Sequence, residues 1–133
     1  MRTKGGTSLY SNDTASDLRG DYIDGLKCGY TNEDITNELI EQNQSLFGDK
    51  EEEPLFWFAL ADTQWNYGRL LPSVKEKALL FLSKEGELQR WKEHGERQWT
   101  EWKGTHNKLK RKLEAQQPPL KKVTKYNQFM IAQ

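Results

Sequence analysis

At 133 residues the chain suits one domain with a single core and is crowded for two. A hydrophobic content of 35% against 30% charged residues is low for a compact fold, so part of the chain is expected as solvated helix or tail, with five tryptophans compensating through large buried areas. The formal charge of zero conceals a polarity: residues 1–66 carry 5 basic and 13 acidic side chains, a balance of −8, and residues 67–133 carry 15 and 7, a balance of +8.

Cys28 is the only cysteine, which excludes an intramolecular disulfide and a cysteine-based metal cluster within one chain and makes a reducing interior the default compartment. The opening MRTKGGTSLYSND has no apolar region behind its basic residues, and no apolar run approaches the length of a bilayer span. A cytoplasmic protein without a membrane segment is expected.

In chain order, Gly5, Gly6, Thr7 and Ser8 form a flexible start before Leu9 and Tyr10. They are not a phosphate loop, because no Gly-Lys-Ser/Thr ending follows and no strand precedes. Asn12 or Asp13 caps a helix to about Cys28, with Ala15, Leu18, Tyr22 and Leu26 at helical spacing and Gly29 as its stop. Asp13, Asp17, Asp21 and Asp24 fall along this helix; a stripe of this kind is a solvated face, since hard cations want convergent oxygens from several elements. Thr31 and Asp34 form a variant capping box for a second helix carrying Ile35, Leu39 and Ile40.

The most apolar stretch is PLFWFALADTQWNYG, Pro54 to Gly68. A proline suits the first helical position, the preceding glutamates suit the positive end of the dipole, and Leu55 to Ala61 fill nearly every side of two turns, which marks a buried helix. Pro72 starts a fourth helix with Val74, Ala78 and Leu82, closing a hairpin with the third. That hairpin resembles a single tetratricopeptide unit, but helical repeats need several stacked copies, so it is read as ordinary hairpin packing.

From Glu87 a polar helix carries Leu88, Trp91, Trp99, Trp102, Leu109 and Leu113. Gly95 and Gly104 each weaken it by about 1 kcal/mol relative to alanine, so a break near one of them is expected. Pro118 and Pro119 end the helical region. The expected architecture is all-α: a compact bundle of about five helices with a central buried hairpin over 54–83, a long polar C-terminal helix and an extended tail. Residues 1–115 form the single domain, and residues 116–133 a Pro/Lys-rich linker and tail.

Three segments, YSNDTASDLRGDY (Tyr10 to Tyr22), FWFALADTQWNYGRL (Phe56 to Leu70) and QPPLKK, together resemble an uncharacterised family of small bacterial proteins. Its members typically show Asn/Asp-Asp-Thr-Ala after an aromatic residue and then Phe-Trp-x-Ala-Leu-Ala-x-Thr-Gln-Trp. The match spans roughly residues 5–122. The resemblance implies that this chain is the helical N-terminal module of longer members, and it carries no known activity.

The candidate residues follow from charge and position. Asp62 directly follows the apolar run, and a buried carboxylate must be paired, so a partner such as Arg69 or Arg19 is expected. With Gln64, Trp65 and Arg69 it forms a polar end of the central helix, and Asp13 and Asp17 are grouped with them as a partner-binding or structural cluster. Lys108, Lys110, Arg111, Lys112, Lys121 and Lys122 lie in segment 103–125, whose balance is +7, and are candidate phosphate contacts near Trp99 and Trp102.

His94 and His106 stand twelve residues apart rather than on adjacent turns, and Cys28 lacks a nucleophile signature, so neither zinc nor hydrolase chemistry is expected. The expected function is a non-enzymatic protein-binding module, immunity- or antitoxin-like or regulatory, without cofactor or metal, whose partner is another protein. A nucleic-acid-associated accessory protein using residues 103–125 is the alternative.

Overall fold

The computed structural model of the chain describes residues 9–49, 52–83 and 96–126. Within them every regular element is helical: α1 (Asp13–Lys27), α2 (Asn32–Gln42), α3 (Glu52–Asn66), α4 (Pro72–Ser83) and α5 (Glu96–Glu114), with 3-10 turns at Leu9–Ser11 and Gln44–Leu46. This is the all-α bundle that the periodicity predicts.

Local chemistry sets the boundaries of the first two helices. The Asn12 side chain accepts from the Ala15 N–H at 3.2 Å and opens α1. At the other end Tyr30 N–H bonds the Gly25 carbonyl and Gly29 N–H bonds that of Leu26, a Schellman motif with Gly29 at φ +93°. Thr31 accepts from the Asp34 N–H at 3.1 Å and opens α2.

The central helix begins two residues earlier than Pro54 suggests. Asp49 Oδ1 accepts from the Glu52 N–H at 3.0 Å, and a proline at the third position costs no bond because the first N–H groups of a helix have no intrahelical acceptor. Pro54 to Gln64 are buried without interruption. Around them α1, α4 and α5 all pack on α3, and α2 packs on α1. Phe47 fixes the N-terminal end, stacked on Trp57 at 5.7 Å and edge-on to Phe56 at 5.1 Å.

α3 ends in a second Schellman motif: Arg69 N–H bonds the Gln64 carbonyl at 2.8 Å and Gly68 N–H that of Trp65 at 3.0 Å. Gly68 holds φ +67°, and a Cβ there would stand 2.6 Å from the Pro118 carbonyl oxygen and 2.7 Å from that of Pro119. Only glycine fits both demands.

α5 runs unbroken through Gly104, which is exposed with open space beside it. Burial of His106, Leu109 and Leu113 against the core offsets the propensity cost there. The expected break at Gly95, the role of Trp91 and the packing of the Trp99 and Trp102 side chains lie outside the described residues, as does segment 127–133.

Residues 116–126 lack regular secondary structure but form a strap fastened to the bundle. Leu70 N–H donates to Gln117 Oε1 at 2.9 Å, Lys121 N–H to the Tyr67 carbonyl at 3.0 Å, and Tyr126 N–H to the Lys27 carbonyl at 2.8 Å. The strap thus joins the α3–α4 turn to the end of α1.

Candidate functional site

The polar end of α3 faces two ways, because consecutive residues on a helix point about 100° apart. On one side Asp62, only 7% exposed, accepts from the Tyr10 hydroxyl at 2.7 Å through Oδ2 and pairs with Lys112 Nζ at 2.6 Å through Oδ1. The partner is therefore a lysine, not Arg69 or Arg19. Arg69 lies beyond the helix end and donates through Nη2 to the Lys121 carbonyl at 3.1 Å, while the Arg19 guanidinium stacks over the Tyr10 ring at 3.8 Å. Burial, and after it the Asp62 charge, pushes the Tyr10 phenol far above its ordinary range, so it stays a donor. Lys112 Nζ also sits over the Trp65 ring at 5.1 Å.

On the other side Gln64 is fully buried. Its Nε2 donates to Thr36 Oγ1 at 2.8 Å and its Oε1 accepts from the Leu71 N–H at 3.1 Å. Asn32 accepts from the Tyr22 hydroxyl at 2.6 Å and donates to the Arg69 carbonyl at 2.7 Å. Gln64 and Asn32 thereby tie α2, α3 and the α3–α4 turn together. Both Asp62 oxygens are engaged, and the Gln64 amide is bonded at both ends, its Nε2 donating also to Asn32 Oδ1 at 3.3 Å, so these residues tie helices together.

The segments Tyr10–Tyr22, Phe56–Leu70 and 117–122 meet here. Tyr10 from the first bonds Asp62 in the second, and Pro118 and Pro119 from the third press on Gly68.

Asp13 and Asp17 are exposed on α1 and line none of the following clefts among the described residues. A cleft of about 320 Å³ lies between α3 and α5 and is lined by Tyr10, Phe58, Asp62, His106 and Lys112. His106 is buried edge-on against Phe58 at 5.3 Å. Of the six candidate phosphate contacts, Lys108, Lys110, Arg111, Lys121 and Lys122 are exposed, whereas Lys112 is committed to Asp62.

A second cleft, of about 650 Å³, is a groove between α1 and α2. Gly25, Ile35 and Leu39 contribute its apolar surface, and Asp21, Asp24, Asp34, Glu38 and Glu41 supply five carboxylates with no lysine or arginine among its lining residues. A Cβ on Gly25 would stand 2.9 Å from Ile35 Cγ1, so the glycine sets how closely the two helices approach. Burial, then the neighbouring charges of Asp17 and Asp24, raises the Asp21 carboxyl above its ordinary range.

Across the α1–α2 corner lies a cleft of about 430 Å³ with the opposite character: Arg69, Lys122 and Lys125 line it together with Leu26, Tyr30 and Thr31, and no carboxylate does. Tyr30, 62% exposed, borders both. Among the described residues no group of three or more His, Cys, Asp or Glu side chains is placed to hold a metal ion, and no helix is long and apolar enough to cross a membrane.

Comparison with protein-family models, with characterised proteins and with solved structures returned no match.

Sequence reasoning reached Asp21 and Asp24 as a solvated stripe and did not join them to Asp34, Glu38 and Glu41 across the helix pair. Their i, i+3 and i, i+4 spacing on two consecutive helices joined by a glycine stop was the available signal. Tyr30 and Lys125 carried no such signal, because their placement depends on where the strap lands.

Proposed function

We propose that the chain is a non-enzymatic protein-binding module that receives a lysine- or arginine-rich segment of a partner polypeptide in the groove between α1 and α2. The observation that carries this reading is the groove itself: an apolar floor rimmed by five carboxylates and no cation. A basic amphipathic segment matches both parts, since its apolar side chains meet Ile35 and Leu39 while its cations meet the rim. Charge-steered association of this kind is the mode suited to an immunity- or antitoxin-like or regulatory protein.

The test is calorimetric titration of the full chain with a synthetic Lys/Leu amphipathic peptide and its Glu/Leu counterpart. Saturable one-to-one binding of the basic peptide alone is expected, weakened about tenfold or more by the double reversal Glu38→Lys/Glu41→Lys and by added salt. Equal binding of both peptides, or indifference to the reversal, contradicts the reading.

The exposure of Lys108, Lys110 and Arg111 on α5 and of Lys121 and Lys122 on the strap favours a second reading, a nucleic-acid accessory role. It requires binding that falls steeply with salt, and no binding to single- or double-stranded nucleic acid at low salt removes it.

A further inference from the structure

The basic cleft at the α1–α2 corner is built by parts of the chain far apart in sequence. Leu26, Gly29, Tyr30 and Thr31 come from the corner, Arg69 from the α3–α4 turn, and Lys122, Val123 and Lys125 from the strap. In a chain with equal numbers of acidic and basic residues, three cations converge there with no carboxylate among the lining residues. Arg69 is half-buried and fixed by its Nη2 bond to the Lys121 carbonyl. Its Nε is buried and has no acceptor among the described residues, although a guanidinium N–H removed from water is costly without one. Lys122 and Lys125 are exposed side chains on the fastened strap, free to swing toward a bound anion.

We infer that this cleft is a binding site for a phosphate group, free or carried on a small ester, held by Arg69, Lys122 and Lys125. A guanidinium supplies directional donors to a tetrahedral oxyanion and the two ammonium groups supply charge. The volume of about 430 Å³ exceeds what a bare phosphate needs, and the exposed Tyr30 ring at its border offers a face for a ring on the ester. The site is independent of the acidic groove and stands or falls without it.

The test is a ¹⁵N NMR titration of the full chain with inorganic phosphate and, in parallel, with a nucleoside monophosphate and its unphosphorylated nucleoside, at ionic strength held constant with chloride. Saturable shifts of the Gly29, Tyr30 and Thr31 amides are expected with both phosphates and not with the nucleoside. Tighter binding of the nucleotide assigns an ester as the source, and equal binding assigns free phosphate. The double variant Lys122→Ala/Lys125→Ala, which removes only exposed side chains and keeps the fold, is expected to weaken binding about tenfold or more. Lys108→Ala/Lys110→Ala on α5 is expected to leave it unchanged. Shifts that never saturate, or that centre on α5 and respond to the second pair of substitutions instead, overturn the inference.

Discussion

The acidic groove and the basic cleft meet at Tyr30 but are made in opposite ways. The groove is local: all of its lining residues lie between Asp21 and Gln42, on two consecutive helices held together at Gly25. The cleft is assembled from three distant segments and exists only because residues 116–126 fold back over the α3–α4 turn. Opposite charges that the sequence separates into halves are thereby placed on neighbouring surfaces. A locally built surface survives loosening of the bundle better than one that depends on a strap.

That difference is broken most forcefully at Gly68. Gly68→Ala forces a Cβ into a positive-φ position and against two strap carbonyls, and should cost about 2–4 kcal/mol in denaturant unfolding. The amides of Lys121 and Tyr126 should then lose hydrogen-exchange protection while those of α1 and α2 in the groove keep theirs. Equal loss in both regions would show that the groove also depends on the strap.

Lys112→Met comes next. It leaves Asp62 buried without its cation, and because the Lys112 side chain is itself about a third exposed the cost should be about 1–3 kcal/mol. Exchange should rise along α5 while the strap's own bonds to Tyr67 and Lys27 hold the cleft together. The accompanying variant Asp62→Asn/Lys112→Met should recover part of the loss in thermal unfolding.

Gly25→Ala acts on the groove alone. Ile35 must shift to admit the new methyl group, at about 1–2 kcal/mol, and peptide binding should weaken while phosphate binding is retained.

The smallest effect is expected at Asp21. Burial and the charges of Asp17 and Asp24 raise its carboxyl in the folded state, so the native chain holds that proton more tightly than the unfolded chain. The resulting stabilisation is present at acid pH, below the unfolded value, and is lost as pH rises through the folded value. Asp21→Asn should therefore raise the melting temperature slightly at neutral pH, and the gain should vanish below the carboxylate range. A gain that grows toward acid pH would contradict the assignment.

Much of the fold was legible because its signals are local. The continuous apolar run of α3, the glycine stops at 29 and 68, and the caps at Asn12 and Thr31 each report on their own turn of chain. The start of α3 was not, because Asp49 reaches forward to Glu52 and opens the helix ahead of Pro54. The need of Asp62 for a partner follows from burial alone, but the choice of Lys112 over Arg69 depends on how α5 lies across α3. Asp13 and Asp17 share a helix with Asp21 and Asp24, yet only the latter pair reaches the groove, a distinction set by where α2 packs.

The central claim, that the α1–α2 groove receives a basic segment, is tested most directly by ¹⁵N NMR of the full chain titrated with the Lys/Leu peptide. Saturable shifts confined to Gly25, Ile35, Leu39 and their helical neighbours, abolished by Glu38→Lys/Glu41→Lys, are the predicted result. Shifts spread over the acidic surface including Asp13 and Asp17, without saturation, would contradict it.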